Sequence, residues 1–188
     1  VIFELGSLGA SGDLAPLAHL SLPLVGLGEV WFEGRRLRAD AVLQQHDLTP
    51  LQFKAKEALA LPNGTQFSSA YAVWCLLQSR RLAQLADFNA AIGYDAFNCR
   101  LSPLDHNIHR IRPHQGQIAV AGRLRNWLAD SQIAAAPKTS VQDPYAFRCV
   151  PQVHGASHDA LAFIEKTVLT EINSVTDNPN VFPDQDLI

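Results

Sequence analysis

The 188-residue chain reads as a mainly α protein, a helical bundle core with one small β-hairpin. Three observations predict this. Leu161, Ile164, Val168, Ile172 and Val175 recur at helical spacing. A second run, opening at Thr65, carries Ala70, Val73, Trp74 and Leu77 along one side. The strand signal is confined to Val30-Trp31-Phe32 and Arg35-Arg36-Leu37, with Glu33-Gly34 between them as a tight turn.

In chain order, the first helix follows Asp13, with Leu14, Leu17, Ala18, Leu20 and Leu24 forming a broad apolar face. Pro16 fits only its first turn, and Gly26 and Gly28 end it. After the hairpin, Ala39 to His46 reads as a short helix closed by Thr49-Pro50. Phe53 to Ala60 reads as helix up to Pro62, and Asn63-Gly64 as a turn. Thr65 is the expected cap of the next helix, which runs towards Phe88. Ile118, Ala121, Leu124 and Leu128 mark another amphipathic helix ending near Gln132, and a loop spans Ala134 to Val141. The last helix stops at Asn178-Pro179. His106, His109 and His114, around Pro113, read as polar loop residues.

Composition narrows the function classes. Fifteen basic and 18 acidic residues give a net charge of −3, and no basic block marks a nucleic-acid surface. Arg35, Arg36 and Arg38 lie among Glu33 and Asp40, as expected of a solvated hairpin. No apolar run reaches the roughly 18 residues of a membrane span, and Val1-Ile2-Phe3 has no signal-peptide character. Cys75, Cys99 and Cys149 are sparse and odd in number, which fits reduced thiols in a cytoplasmic protein. Methionine is absent, so residue 1 is not read as a translation start. The expected organisation is a single partial domain over residues 1–188.

The chemistry concentrates at Gly9-Ala10-Ser11-Gly12-Asp13-Leu14. If the Gly12 nitrogen attacks the Ala10 carbonyl and two waters leave, Ala10-Ser11-Gly12 becomes a methylidene-imidazolone (MIO) ring. Ser11 then supplies an exocyclic methylidene carbon, an electrophile that no ordinary side chain offers. Gly12 has no Cβ to shield its nitrogen and tolerates the unusual backbone that the attack needs. The plain alternative is a small-residue turn leading into a helix.

The wider run Gly6-Ser-Leu-Gly-Ala-Ser-Gly-Asp-Leu-Ala-Pro-Leu-Ala-His19 resembles the MIO segment of the aromatic amino acid ammonia-lyases. Three further blocks agree in the same order: Asn63-Gly64-Thr65-Gln66, Gln142-Asp143-Pro144-Tyr145-Ala146-Phe147-Arg148-Cys149, and Ser174-Val175-Thr176-Asp177-Asn178-Pro179. Gln66 and Pro144 match the histidine branch of that family. Pro62 departs from the apolar residue that the family has there.

The resemblance implies a helical ammonia-lyase core that eliminates ammonia from L-histidine to give urocanate, using an MIO group formed autocatalytically from Ala10, Ser11 and Gly12 and no metal. Tyrosine and phenylalanine lyases and MIO aminomutases are the alternatives within the class. A non-catalytic helical piece serving structure or assembly is the alternative outside it. Arg148 is the expected grip on the substrate carboxylate, because a guanidinium is a permanent, two-pronged match. Tyr145, three residues earlier, shares a face with Arg148 if the segment is helical. The resemblance puts Tyr145 near the MIO group, Gln142 against the substrate, and Asn63 beside both the MIO group and the carboxylate. It also implies a homotetramer with active sites built from several subunits, a small amino-acid substrate, and neither nucleic-acid nor membrane partners. The family's catalytic base, a tyrosine on an N-terminal loop, falls before Val1, so the chain alone is expected to be inactive.

Rival motifs fail on particular residues. A hydrolase elbow needs Gly where Asp13 stands, and a phosphate loop needs Gly-Lys-Ser/Thr where the chain has Gly12-Asp13. His154 and His158 have metal-pair spacing but lack the glutamate of a metalloprotease motif, and read as surface or second-layer histidines.

Overall fold

The computed structural model describes residues 1–7 and 12–185 as two compact units, residues 1–72 with 169–188 and residues 73–168. Leu8 to Ser11 and residues 186–188 lie outside the described part, and Pro183 is described in its backbone alone.

In the first unit, α1 (Leu14–Ser21) gives way to a 3-10 turn at Leu22–Val25. The expected single helix to Leu24 is cut short because Pro23 has no N–H with which to continue the α pattern. Gly26, in the left-handed region at φ 76°, ends the turn. The hairpin forms as read, β1 (Glu29–Phe32) antiparallel to β2 (Arg35–Arg38), with Trp31 opposite Arg36. Glu33 and Gly34 both take positive φ, the backbone of a tight hairpin turn that matches strand twist. Its arginines are paired and solvated, Arg36 with Glu29 and Arg38 with Asp40. The next helix, α2 (Ala39–Gln45), packs back through Ala39, whose N–H donates to the Gly28 carbonyl at 3.1 Å.

The helix expected from Phe53 shrinks to one turn, α3 (Glu57–Ala60). Lys56 sits in the left-handed region at φ 70°, which interrupts an α ladder, and Glu57 reaches back to accept the Lys54 N–H at 2.7 Å. The long helix α4 (Gln66–Ala96) begins where predicted and runs eight residues past Phe88. Thr65 does not cap it as expected: its hydroxyl donates to Glu171 at 2.6 Å, and Asp13 takes the helix-terminal N–H of Ser68 instead.

The second unit has its core between the later part of α4, a 3-10 turn at Ser102–Leu104, α5 (His106–Arg110), α6 (Gln115–Trp127), α7 (Gln132–Ala135), α8 (Tyr145–Arg148) and α9 (Val150–Ile172). Ala91, Tyr94, Cys99, Leu104, Val120, Leu124, Leu128 and Val150 form one buried cluster, with Phe147 against it. Helices α6 and α9 meet at glycines. A Cβ on Gly116 would lie 2.1 Å from the Gly155 carbonyl oxygen, so only glycine permits this approach. Asp159 then accepts the Gly116 N–H at 2.7 Å, completing the start of α6 from its neighbour.

His109 departs from its reading as a polar loop residue. It is buried in α5 and bonded to the Pro103 carbonyl at 3.0 Å and to Gln117 at 2.9 Å. Burial lowers its pKa, which keeps the imidazole neutral in the core. All three cysteines are free thiols. Burial raises the Cys99 pKa to about 11. Among the described residues, no helix is long and apolar enough to cross a membrane.

Candidate functional site

In the first unit the site is organised around the start of α1. Gly12 holds φ at +87°, and a Cβ built on it would fall 2.7 Å from the Gly64 nitrogen and 2.9 Å from the Gly64 oxygen. Backbone atoms cannot rotate aside, so this position admits glycine alone. The contact is locked from the next residue, whose N–H donates to the Gly64 carbonyl at 3.0 Å. Gly12 therefore lies directly against the Asn63-Gly64 turn. Ala10 and Ser11, the other members of the tripeptide, fall outside the described residues.

Asp13 is the neighbour that sequence reasoning did not single out. Its side chain makes no cap on its own helix. It is 1 % exposed and accepts three hydrogen bonds, from the Ser7 hydroxyl at 2.7 Å, the Ser68 N–H at 2.8 Å and the Ser68 hydroxyl at 2.7 Å. Burial pushes its pKa up, but the bonds from Ser68 and Ser7 outweigh this and hold the carboxyl below its ordinary range. One ionised carboxylate thus ties the residue after Gly12 to the first turn of α4, where the helix dipole favours it. Serines at positions 7 and 68, 61 residues apart, gave no local signal of this.

Asn63 is fixed from the other side by the Thr176–Asn178 segment. Its amide nitrogen donates to the Asn178 carbonyl, and its side-chain oxygen has no hydrogen-bond partner among the described residues. The Thr176 hydroxyl accepts the Thr65 N–H at 3.4 Å, and Lys56 pairs with Asp177. The Pro62 substitution does not disturb the turn, since the Asn63 N–H still reaches the Leu59 carbonyl at 3.1 Å.

In the second unit, Gln142, Tyr145 and Arg148 come together around one turn of helix. Gln142 and Arg148 line a cavity of about 380 Å³ with Arg100, Asp143, Cys149 and Gln152. Tyr145 and Arg148 do share a face: the Arg148 guanidinium carbon sits 4.3 Å from the Tyr145 ring centroid, a cation–π contact. Tyr145 is 72 % exposed, so the ring that backs the guanidinium is itself open on its other side. The Arg148 Nε donates to the Asp143 carbonyl at 2.7 Å. The Tyr94 hydroxyl donates to the Phe147 carbonyl at 2.7 Å, which anchors the turn to the core. Gln152, in the first turn of α9, was not singled out from sequence; its side-chain oxygen is shielded from solvent and has no partner among the described residues.

His154 and His158 are not a metal pair. Both bond to Asp87, at 2.8 and 2.9 Å, and Arg123 donates to the same carboxylate through Nε at 3.0 Å. Asp87 is fully buried. Burial works against its charge, and the donors from Arg123, His154 and His158 reverse that and keep its pKa low. Among the described residues, no group of three or more potential ligands converges as a metal site would require.

A family model described as aromatic amino acid lyase matches residues 1–188. The histidine ammonia-lyase of Streptococcus pyogenes serotype M49 (strain NZ131) is 44 % identical over 98 % of this chain, which spans 36 % of that relative. The histidine ammonia-lyase of Sorangium cellulosum (strain So ce56) is 47 % identical over 94 % of the chain, which spans 35 % of it. Among solved structures, histidine ammonia-lyase from Trypanosoma cruzi superposes with a TM-score of 0.79 at 40 % identity, covering 96 % of this chain and 34 % of that one.

Proposed function

The chain belongs to the aromatic amino acid lyase family, and on that footing we propose that the protein containing it is a histidine ammonia-lyase, converting L-histidine to urocanate and ammonia. Residues 1–188 are its prosthetic-group-bearing core, one partial domain of the longer enzyme. The observation that carries the reading is Gly12 pinned at φ +87° against the Asn63-Gly64 turn. That packing excludes a side chain at Gly12, the position whose nitrogen would close the ring, and brings Gly12 against the Asn63-Gly64 backbone, which supports a role for Asn63 there.

The residues present fit the group that the family implies. Ala10, Ser11 and Gly12 would form the MIO ring, which would supply an electrophilic carbon for the elimination. Everything else is done by ordinary side chains. Arg148 holds the substrate carboxylate by charge-assisted hydrogen bonds, with Gln142 on the same cavity wall. Asn63 presents its amide oxygen as an acceptor, its nitrogen being spent on Asn178. Tyr145 keeps the guanidinium in plane from beneath and stands near the reacting group. Asp13 holds the start of α1, whose N-terminal dipole favours negative charge developing beside the tripeptide. No metal is required by any of these roles.

The enzyme works in the cytoplasm as a homotetramer, with active sites assembled from more than one subunit. Apolar residues left exposed on α9, Phe163, Ile164, Leu169 and Ile172, support this, whereas the α6 stripe that the sequence offered alongside it is buried within the chain's own core. The test is to assay the full-length protein on histidine, tyrosine and phenylalanine, and to measure its intact mass. Urocanate release and a mass short by two waters are the expected results. Release of a cinnamate-type product without urocanate overturns the histidine assignment, and an unmodified mass overturns the prosthetic group.

A further inference from the structure

We propose that Asp143 is a positioning residue: it holds Arg148 so that the guanidinium meets its ligand carboxylate end-on, through the two terminal nitrogens. Arg148 has two edges that can form a two-pronged bond, the Nε side and the distal pair of Nη groups. The Nε side is closed, because Nε donates to the Asp143 carbonyl at 2.7 Å. Neither Nη has a hydrogen-bond partner among the described residues, and Arg148 lines the 380 Å³ cavity. The Tyr145 ring, 4.3 Å from the guanidinium carbon, covers one face. The open edge of Arg148 is therefore the distal one.

The carbonyl can do this only if its residue is fixed, and the Asp143 side chain fixes it. Asp143 is 5 % exposed, and its Oδ2 accepts the Arg100 N–H at 2.7 Å while Oδ1 faces the Ser140 hydroxyl at 3.4 Å. The Arg100 side chain closes the same loop by donating through Nε to the Ser140 carbonyl at 3.0 Å. Asp143 thus uses its side chain to seat the loop and its backbone to aim the arginine. The inference rests on the reading of Arg148 as the carboxylate grip.

The test uses the full-length protein and two probes, imidazolepropionate, which keeps the carboxylate, and histamine, which lacks it. Asp143→Ala is expected to weaken imidazolepropionate ~10- to 100-fold, the scale of one misplaced charge-assisted bond, and to leave histamine binding alone. Histidine turnover should show the same loss in KM, with kcat moved far less, because the carboxylate is held alike in ground and transition states. Asp143→Asn, which still offers an oxygen to the Arg100 N–H, should recover most of the loss. It also serves as the readout if the alanine variant does not fold: an asparagine variant as weak as Arg148→Ala overturns the proposal. The double variant Asp143→Ala/Arg148→Ala should bind no more weakly than Arg148→Ala, since one residue acts through the other. Unchanged imidazolepropionate binding in Asp143→Ala, or full additivity in the double variant, overturns the role. A wild type that binds imidazolepropionate yet makes no urocanate would sink the lyase reading and leave Asp143 as the aligner of a carboxylate-binding arginine.

Discussion

Replacing Gly12 with alanine tests whether the contact with the Asn63-Gly64 turn governs the candidate site. Two penalties add. A non-glycine residue at φ +87° carries roughly 1–2 kcal/mol of left-handed strain. The new Cβ would also lie 2.7 Å from the Gly64 nitrogen and 2.9 Å from its oxygen. Forcing such atoms apart costs about 1–3 kcal/mol more. The Gly12→Ala loss is therefore ~2–5 kcal/mol, a large share of a typical stability of about 5–15 kcal/mol. Gly34→Ala is the internal control, since that residue has φ +75° and nothing within 4 Å of its Cβ position. It should show the strain alone, ~1–2 kcal/mol. Urea titrations of the two full-length variants, followed by circular dichroism, give the difference, and intact mass gives the fraction of tripeptide dehydrated. If Gly12→Ala is no less stable than Gly34→Ala, the close contact with Gly64 has been misjudged and the argument for a pinned tripeptide falls.

Asp13→Ala should lower stability by ~1–3 kcal/mol, because the Ser68 N–H at the start of α4 loses its acceptor. With its folded pKa below the ordinary 3.8, Asp13 contributes fully above that pH. The contribution is lost as pH falls through the folded value, so urea midpoints of wild type and Asp13→Ala should converge in acid. Asp87→Ala leaves Arg123, His154 and His158 facing an empty site and should cost ~3–5 kcal/mol by the same titration. Ser11→Ala should abolish the two-water mass loss and most histidine turnover while leaving the circular dichroism spectrum unchanged. Mixing inactive Ser11→Ala and Arg148→Ala full-length proteins under subunit exchange should restore part of the activity. None restored, despite demonstrated exchange, would place both residues of each site in one subunit.

What the sequence made legible follows the range of the forces involved. The hairpin, α2, the start of α4 and most of α6 depend on turn residues and on apolar spacing within one segment, and they appear where those signals put them. The last helix was seen only from Leu161, although it begins at Val150. Its first turns are held by features that hydrophobic periodicity does not register: Gly155 meeting the Gly116 backbone, and His154 and His158 bonded to a carboxylate on α4. The same reasoning explains α3. Lys56 turns left-handed just before it, and a lysine carries no local sign of that.

The site divides along a related line. Gly12, Asn63, Gln142, Tyr145 and Arg148 could be proposed from sequence because each has a chemical type suited to one task and lies in a recognisable block. The residues that aim them were not, because their work depends on partners distant in sequence. Asp13 serves Ser68 across 55 positions, Asn63 is oriented by Asn178 across 115, and Asp143 reaches Arg100 across 43. A carboxylate beside a glycine or proline reads locally as a cap or a turn former. It becomes a positioning group only when burial removes water and leaves backbone N–H groups and hydroxyls as its remaining donors. The chemistry proposed for this chain is thus argued from its motifs, while the buried acids that hold those residues in place are seen only in the fold.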